Sequence, residues 1–191
     1  MAAPKTSRED WVRVALDALA EGGPSGVRVE DLARRLGVTK GGFYWAFDDR
    51  NALLEAMLAA WERVAVNDVV ERVDAVHGDA LDKLQALFAE AASAKRLVGI
   101  ELAVRDWARR DPAVRERLQR VDDARMEYMR GLFGAVVADP VETEARCLLT
   151  LALFIGSQFT APHPGGLDRK EVWGRALRIL EGPLSNRPVP S

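Results

Sequence analysis

Apolar positions recur at helical spacing along almost the whole chain. In the first segment Trp11, Ala15 and Leu19 fall on one face, and Gly22-Gly23-Pro24 ends the pattern. Later apolar stripes each follow an aspartate that can cap a helix. These aspartates are Asp49, Asp79, Asp111, Asp139 and Asp168. No convincing stretch alternates between apolar and polar residues as a half-buried strand would, so the pattern predicts an all-α chain of about nine helices.

The predicted helices change in character near residue 50. Before this point they are short and joined by tight glycine turns, whereas after it they are long and amphipathic. We therefore predict one domain over residues 1–50 and a larger helical domain over residues 51–182. Residues 183–191 contain three prolines and are predicted to form a poorly ordered tail.

Composition narrows the class of protein. Hydrophobic residues make up 48% of the chain and charged residues 29%, which favours a packed core over disorder. The net charge of −2 gives no support for a non-specific polyanion binder. No apolar run reaches the roughly 18 residues of a membrane span, and the N-terminus lacks the pattern of a signal peptide. We expect a cytoplasmic protein without a cofactor or metal site.

The most informative stretch is Val29 to Phe47, which reads VEDLARRLGVTKGGFYWAF. Two short helices flank Gly37-Val38, and glycine permits the sharp turn of a helix-turn-helix motif. Phe43 and Phe47 are four residues apart and are expected to face inward. The second helix then projects Thr39, Lys40, Gly42, Tyr44 and Trp45 outward.

This stretch resembles the TetR family of one-component bacterial regulators. The match continues through Asp48-Asp49-Arg50 into Ala52-Leu53-Leu54, and with the first helix it covers roughly the first 55 residues. The resemblance implies a three-helix DNA-binding domain whose second motif helix enters the major groove. It also implies a larger helical domain that binds a small-molecule effector and forms a homodimer on a palindromic DNA operator.

Seven residues are candidate DNA contacts. They are Arg28, Thr39, Lys40, Gly42, Tyr44, Trp45 and Arg50. The basic side chains and the hydroxyl groups would contact phosphates, the glycine would let the backbone approach the duplex closely, and the indole would contact a thymine methyl or a sugar. Arg28, Gly42 and Ala46 depart from the family pattern, which leaves the operator sequence open.

The larger half offers weaker signals. Apolar and sulfur-containing side chains, together with one arginine, are candidates for an effector pocket: Trp61, Phe88, Trp107, Arg125, Met126 and Met129. Arg125 lies in an apolar stripe, so it could bind an acidic group of a ligand, pair with a carboxylate of its own chain, or extend to water. Cys147 is expected to be a buried apolar group with a raised pKa, and Glu101 and Arg105 are expected to form a surface pair.

A dimer interface is predicted in the last two helices. The helix after Pro140 is apolar on nearly every face between Cys147 and Gly156, and a second subunit could bury one of those faces. The candidates are Leu149, Ala152, Ile155, Gly156, Phe159, Trp173, Leu177 and Leu180. The alternative is a central core helix in a monomer.

The favoured function is a DNA-binding transcriptional regulator, most commonly a repressor, that a small apolar or amphipathic effector releases. A helical enzyme is disfavoured because the sequence contains no GxSxG, GxGxxG, P-loop or HExxH motif and no paired cysteines. An architectural or protein-binding module that uses its helices only for partner contacts is the remaining alternative.

Overall fold

The computed structural model describes residues 6–93, 95–159 and 166–182, and every regular element within these ranges is helical. Nine α-helices are present in these ranges: α1 Arg8–Gly26, α2 Val29–Leu36, α3 Arg50–Glu62, α4 Asp68–Asp74, α5 Ala80–Ser93, α6 Lys95–Ala108, α7 Pro112–Gly134, α8 Pro140–Phe159 and α9 Arg169–Glu181. A 3₁₀ helix, Lys40–Trp45, lies between α2 and α3, and a π-helical turn, Arg63–Asn67, lies between α3 and α4. The predicted tail, 183–191, lies outside the described residues.

Side-chain caps fix where several helices begin. At α1 the Ser7 hydroxyl accepts from the Asp10 N–H at 3.1 Å, and the Asp10 carboxylate accepts from the Ser7 N–H at 3.0 Å. Asp49 accepts from the Ala52 N–H at 2.8 Å at the start of α3. Gly23 has a φ of 62°, which ends the regular part of α1 at the predicted glycine pair. Local sequence is therefore sufficient to place these boundaries.

The described chain divides into two compact units. The first comprises the described parts of Met1–Asp68 and Lys95–Val121. Its core contains Trp11 and Leu19 of α1, Phe43 of the 3₁₀ helix and Met57 of α3. Helix α1 packs on α2, α3 and also α6, so the packing of this unit extends past the boundary predicted at residue 50.

Small residues allow α6 to lie close to α1. A Cβ atom added at Gly99 would meet the Cβ atom of Ala20 at 3.4 Å. Helix α1 buries residues on a broad surface that includes Trp11, Val14 and Ala18, so one side can pack on the helix-turn-helix while another packs on α6. The apolar surface of α1 is thus shared between sequence neighbours and a helix some 80 residues away.

The predicted surface pair of Glu101 and Arg105 is wrong, because Glu101 is 1% exposed. Its carboxylate accepts from the Trp61 indole Nε1 at 3.2 Å and from the Arg105 Nε at 2.9 Å. The i, i+4 spacing predicts the pairing, but it cannot tell that α3 covers this side of α6.

The second unit comprises the described parts of Val69–Ala94 and Asp122–Ser191. Its core cluster includes Leu84, Phe88, Phe133 and Cys147. Burial raises the pKa of the Cys147 thiol to about 11, in line with the prediction of a buried apolar group. No helix within the described ranges is long and apolar enough to cross a membrane.

Candidate nucleic-acid interface

The turn between α2 and the 3₁₀ helix is built around Gly37. This residue has φ and ψ of 68° and 28°, the left-handed conformation that glycine adopts without strain. The Val38 N–H then donates to the Ala33 carbonyl at 3.0 Å, and the Val38 side chain packs against the core of the unit. The predicted helix-turn-helix is therefore present, with glycine at the position that needs it.

The second helix of the motif is a 3₁₀ helix, Lys40–Trp45, where the sequence suggested a short α-helix running to about Phe47. Its backbone hydrogen bonds join residues three positions apart. The Gly42 N–H donates to the Thr39 carbonyl at 3.0 Å, and the Ala46 N–H donates to the Phe43 carbonyl at 2.9 Å. Two successive glycines weaken α-helix formation here. Thr39 occupies the N-cap position, and its side chain makes no capping hydrogen bond.

Aromatic rings fix the 3₁₀ helix to the three-helix core. Phe43 is fully buried and meets the Trp11 ring edge to face, with the ring centroids 5.4 Å apart. Phe43 and Phe47 stack at 5.6 Å, which confirms that both face inward. The Tyr44 ring meets Phe43 at 5.3 Å from the outer side. This packing orients the backbone of the segment, so the side chains between the buried rings must point outward.

Two aromatic side chains occupy the outward face. Trp45 is 91% exposed and Tyr44 is 58% exposed. Two neighbouring aromatic rings that lie largely in solvent form an apolar surface that another molecule can cover. The predicted surface of the 3₁₀ helix is therefore free to contact a partner.

The basic candidates are engaged unequally within the chain. Lys40 Nζ lies 2.5 Å from a Glu30 carboxylate oxygen, and this hydrogen bond raises the pKa of Lys40. Arg50 Nε donates to the Val27 carbonyl at 2.8 Å, and its Nη2 donates to the Pro24 carbonyl. Arg28 is exposed at the N-cap of α2, where its side chain makes no capping bond. Arg50 thus ties α3 to the last turn of α1 and to Val27 just after it, a structural contact that the sequence did not predict.

The comparisons with known proteins agree with this geometry. A family model described as "Bacterial regulatory proteins, tetR family" matches residues 12–57. The chain is 29% identical to the tetracycline repressor protein class A from transposon 1721 of Escherichia coli, over 91% of this chain and 74% of that protein. It is also 41% identical to the class C tetracycline repressor protein of Escherichia coli, over 29% of this chain and 26% of that protein.

The chain carries the DNA-binding domain of the TetR family at residues 12–57. It is therefore a DNA-binding transcriptional regulator, and residues 12–57 that match the family model hold the helix-turn-helix described above. Among solved structures, a transcriptional regulator from Rhodococcus sp. Rha1 shares the fold, with a TM-score of 0.71, 24% identity, and coverage of 93% of this chain and 95% of that one. A ketosteroid transcriptional regulator of Mycobacterium tuberculosis has a TM-score of 0.66 at 19% identity, covering 92% and 93%.

One contact of this TetR-family motif escaped the sequence analysis. The Arg8 guanidinium carbon lies 4.4 Å from the centre of the Phe47 ring. Arg8 is the first residue of α1, three positions before Trp11, which contacts Phe43. Since residues three apart share one side of a helix, the Trp11 contact places Arg8 beside the same 3₁₀ helix. The sequence did contain a signal for this contact. A helix that begins after Ser7 places Arg8 on the same side as Trp11, one turn earlier.

The residues predicted for an effector pocket fall into both units. Trp61 and Trp107 belong to the first unit, where their indole N–H groups donate to Glu101 and Asp111, both at 3.2 Å. Phe88, Met126 and Met129 belong to the second unit, in or against its core cluster. The structure thus places the pocket candidates in two separate apolar cores.

Arg125 has partners within the second unit. One of its guanidinium nitrogens lies 3.4 Å from an Asp122 carboxylate oxygen, and the guanidinium carbon lies 5.7 Å from the centre of the Phe154 ring. Its side chain is only 13% exposed. Of the roles left open by the sequence, pairing with an internal carboxylate is the one this geometry supports.

The predicted interface residues differ in exposure. Leu149 and Ala152 are exposed on α8, and Ile155 and Gly156 are half-buried. Leu177 lies in the core cluster of its own chain, with Trp173 and Leu180 packed against that cluster. The Phe159 side chain lies outside the described residues. Sequence reasoning missed three exposed apolar side chains nearby, which are Val141, Leu148 and Ile179.

Proposed function

We propose that this TetR-family regulator is a repressor that binds a palindromic operator as a homodimer and is released by a small apolar or amphipathic effector. The 3₁₀ helix Lys40–Trp45 would lie in the major groove, with Trp45 against base edges or sugars and Tyr44 against a phosphate. Arg28 and Lys40 would contact flanking phosphates. Because it acts on DNA, its proposed compartment is the cytoplasm.

The exposed Trp45 side chain is the observation that carries this proposal. Its 91% exposure contrasts with Phe43, two residues away, which is fully buried. A ring that contributes nothing to the core of its own chain is available to cover a thymine methyl or a sugar. Glycines at 41 and 42 leave the neighbouring backbone bare, so that backbone can approach the duplex.

An exposed apolar face supports the homodimer. On α8 Leu148 is 61% and Leu149 is 53% exposed, and on α9 Ile179 is 71% exposed. A self-complementary pairing of this face around a twofold axis would bury these side chains. The proposal requires the two copies to present their 3₁₀ helices to successive major grooves, which lie about 34 Å apart on the duplex.

An effector would act by binding one arrangement of the dimer more tightly than the other, because a ligand shifts an equilibrium only by its differential affinity. The second unit offers flexible apolar side chains for such a site, notably Met126 and Met129. The class A relative is named as a repressor, and this supports repression over activation.

The test uses a fluorescein-labelled DNA duplex that the wild-type protein selects from a random-sequence library. It compares the binding of variants on the 3₁₀ helix with that of variants on α8. We expect Trp45→Ala to weaken binding about tenfold or more with an unchanged melting temperature, since the ring is not packed. We expect Leu149→Asp to shift the mass measured by light scattering toward the monomer, and to weaken DNA binding indirectly.

Two results would contradict the proposal. If Trp45→Ala and Tyr44→Ala bind the selected duplex as well as the wild type, the assignment of the groove-facing surface is wrong. If the wild-type protein selects no duplex yet still self-associates through α8, an architectural or protein-binding module becomes the better account.

A further inference from the structure

Arg8 stands apart from most basic side chains of the helix-turn-helix region. Within residues 6–50 most arginines and lysines are already paired: Arg13 with Asp10, Arg34 with Asp31, Arg35 with Glu21, Lys40 with Glu30, and Arg50 with two backbone carbonyls. For Arg8, no carboxylate among the described residues lies within ion-pair distance, and its recorded contact is the Phe47 ring. Its positive charge is therefore not neutralised locally.

The position of Arg8 is fixed by the same rings that orient the 3₁₀ helix. Its guanidinium lies 4.4 Å from the centre of Phe47, and Phe47 stacks on Phe43, which in turn contacts Tyr44. A guanidinium over a ring face keeps its N–H groups at the edge free to donate. The first turn of α1, which carries Arg8, is held in place by the Ser7 cap and by the contact of Trp11 with Phe43.

This location suits a contact with the DNA backbone. The major groove is about 12 Å wide, so an element inserted into it is flanked by phosphates at the distance of one or two side chains. Successive contacts from the guanidinium to Phe47 and from Phe47 to Phe43 connect Arg8 to the 3₁₀ helix. Arginine binds phosphate oxygens through paired N–H donors, and these are the groups that stacking on Phe47 leaves open.

We propose that Arg8, held by stacking on Phe47, is a backbone phosphate contact of this regulator and supplies charge that the internally paired Lys40 and Arg50 cannot fully supply. The proposal rests on the proposed DNA-binding function and extends the interface to the first turn of α1. It assigns Arg8 to affinity and to salt dependence, and not to the choice of base sequence, because phosphate contacts position a protein without reading bases.

The salt dependence of binding gives a quantitative test. Each phosphate neutralised contributes about 0.9 to the slope of log affinity against log salt concentration. Loss of Arg8 should lower that slope by about 0.9 per bound protomer. We take the variant and the wild type to bind equally near 1 M salt, where the contact has lost its effect. The same slope difference then makes the variant's affinity at about 0.1 M salt weaker than that of the wild type by roughly eightfold per protomer.

The experiment measures fluorescence anisotropy of the wild type and variants with the selected duplex and with a scrambled duplex, at several KCl concentrations. Arg8→Ala should lower the slope equally on both duplexes, and Arg8→Lys should restore most of it. Arg13→Ala is the matched control, because Arg13 lies on the same helix but is paired with Asp10 at 3.3 Å. Melting temperatures confirm that the variants are folded.

Three results would decide the matter. A lower slope for Arg8→Ala with an unchanged slope for Arg13→Ala supports the phosphate contact. Equal slopes for Arg8→Ala and the wild type, with binding still lost in Trp45→Ala, would refute the role of Arg8 and leave the regulator assignment intact. Failure of the wild type to bind any selected duplex would refute both.

Discussion

The Glu101 carboxylate should contribute far more to stability than a charge on a helix surface. It is 1% exposed, and it accepts hydrogen bonds from the Trp61 indole at 3.2 Å and from Arg105 at 2.9 Å. The Arg105 side chain is 17% exposed. Glu101→Ala would remove the acceptor from both donors in a place that water reaches poorly, which leaves a guanidinium charge without its neighbouring carboxylate.

The size of the effect follows from the burial of the pair. Removing one partner of a buried ion pair costs about 3–5 kcal/mol. Because Arg105 keeps some access to solvent, we expect the lower end, about 3 kcal/mol. For a domain of this size each kcal/mol lowers the melting temperature by about 2–4 °C, so the variant should melt about 6–12 °C below the wild type.

Thermal and urea denaturation followed by circular dichroism measure this loss directly. Glu101→Gln keeps an acceptor for the indole but not the charge, so it should fall between the wild type and Glu101→Ala. Glu116→Ala is the control, since Glu116 is exposed on α7 and should change stability by no more than about 0.5 kcal/mol. If Glu101→Ala melts within about 2 °C of the control, the carboxylate is solvated in solution and the reasoning fails.

Two further predictions concern the second unit. Burial raises the pKa of Cys147 from 9.0 to about 11, so at pH 8 its thiolate fraction is about a hundredfold smaller in the folded state. Iodoacetamide should label the native protein about a hundredfold more slowly than the guanidinium-unfolded protein, and a difference below tenfold would contradict this. Burial and the nearby Asp74 carboxylate raise the pKa of Tyr128 from 10.0 to about 12, so folding favours the protonated phenol. This contribution is complete below pH 10 and is lost as the pH rises toward 12. Between pH 9 and 11 the free energy of unfolding, measured by urea titration, should fall less in Tyr128→Phe than in the wild type. An identical pH dependence in the two proteins would show that the pKa of Tyr128 is not raised by folding.

The helix-turn-helix was largely predictable because its determinants are local. Ser7 and Asp49 cap their helices through residues three positions away, and Gly37 adopts the left-handed turn. The spacing of Phe43 and Phe47 places both rings inside. Such features depend on neighbours in sequence, so the order of residues carries them directly.

The surroundings of the charged residues were less predictable. Arg50 was expected to contact a phosphate, yet it donates to the backbone carbonyls of Pro24 and Val27 at the end of α1. Lys40 was likewise expected to contact a phosphate, and its Nζ lies 2.5 Å from a Glu30 carboxylate oxygen. Both contacts join residues that are 10 or more positions apart in the chain. Residue type and spacing within one helix contain no information about them.

By itself the amino-acid order determined the helices, the sharp turn at Gly37 and the outward direction of Tyr44 and Trp45. Only the tertiary structure decided that α6 packs on α1, that Glu101 is buried against Trp61, and that Arg8 lies on Phe47. The physical reason is the range of the interactions. Caps, turns and i, i+4 pairs act within one or two helical turns, whereas burial of a charge depends on residues that are distant in sequence and meet only when the chain has folded.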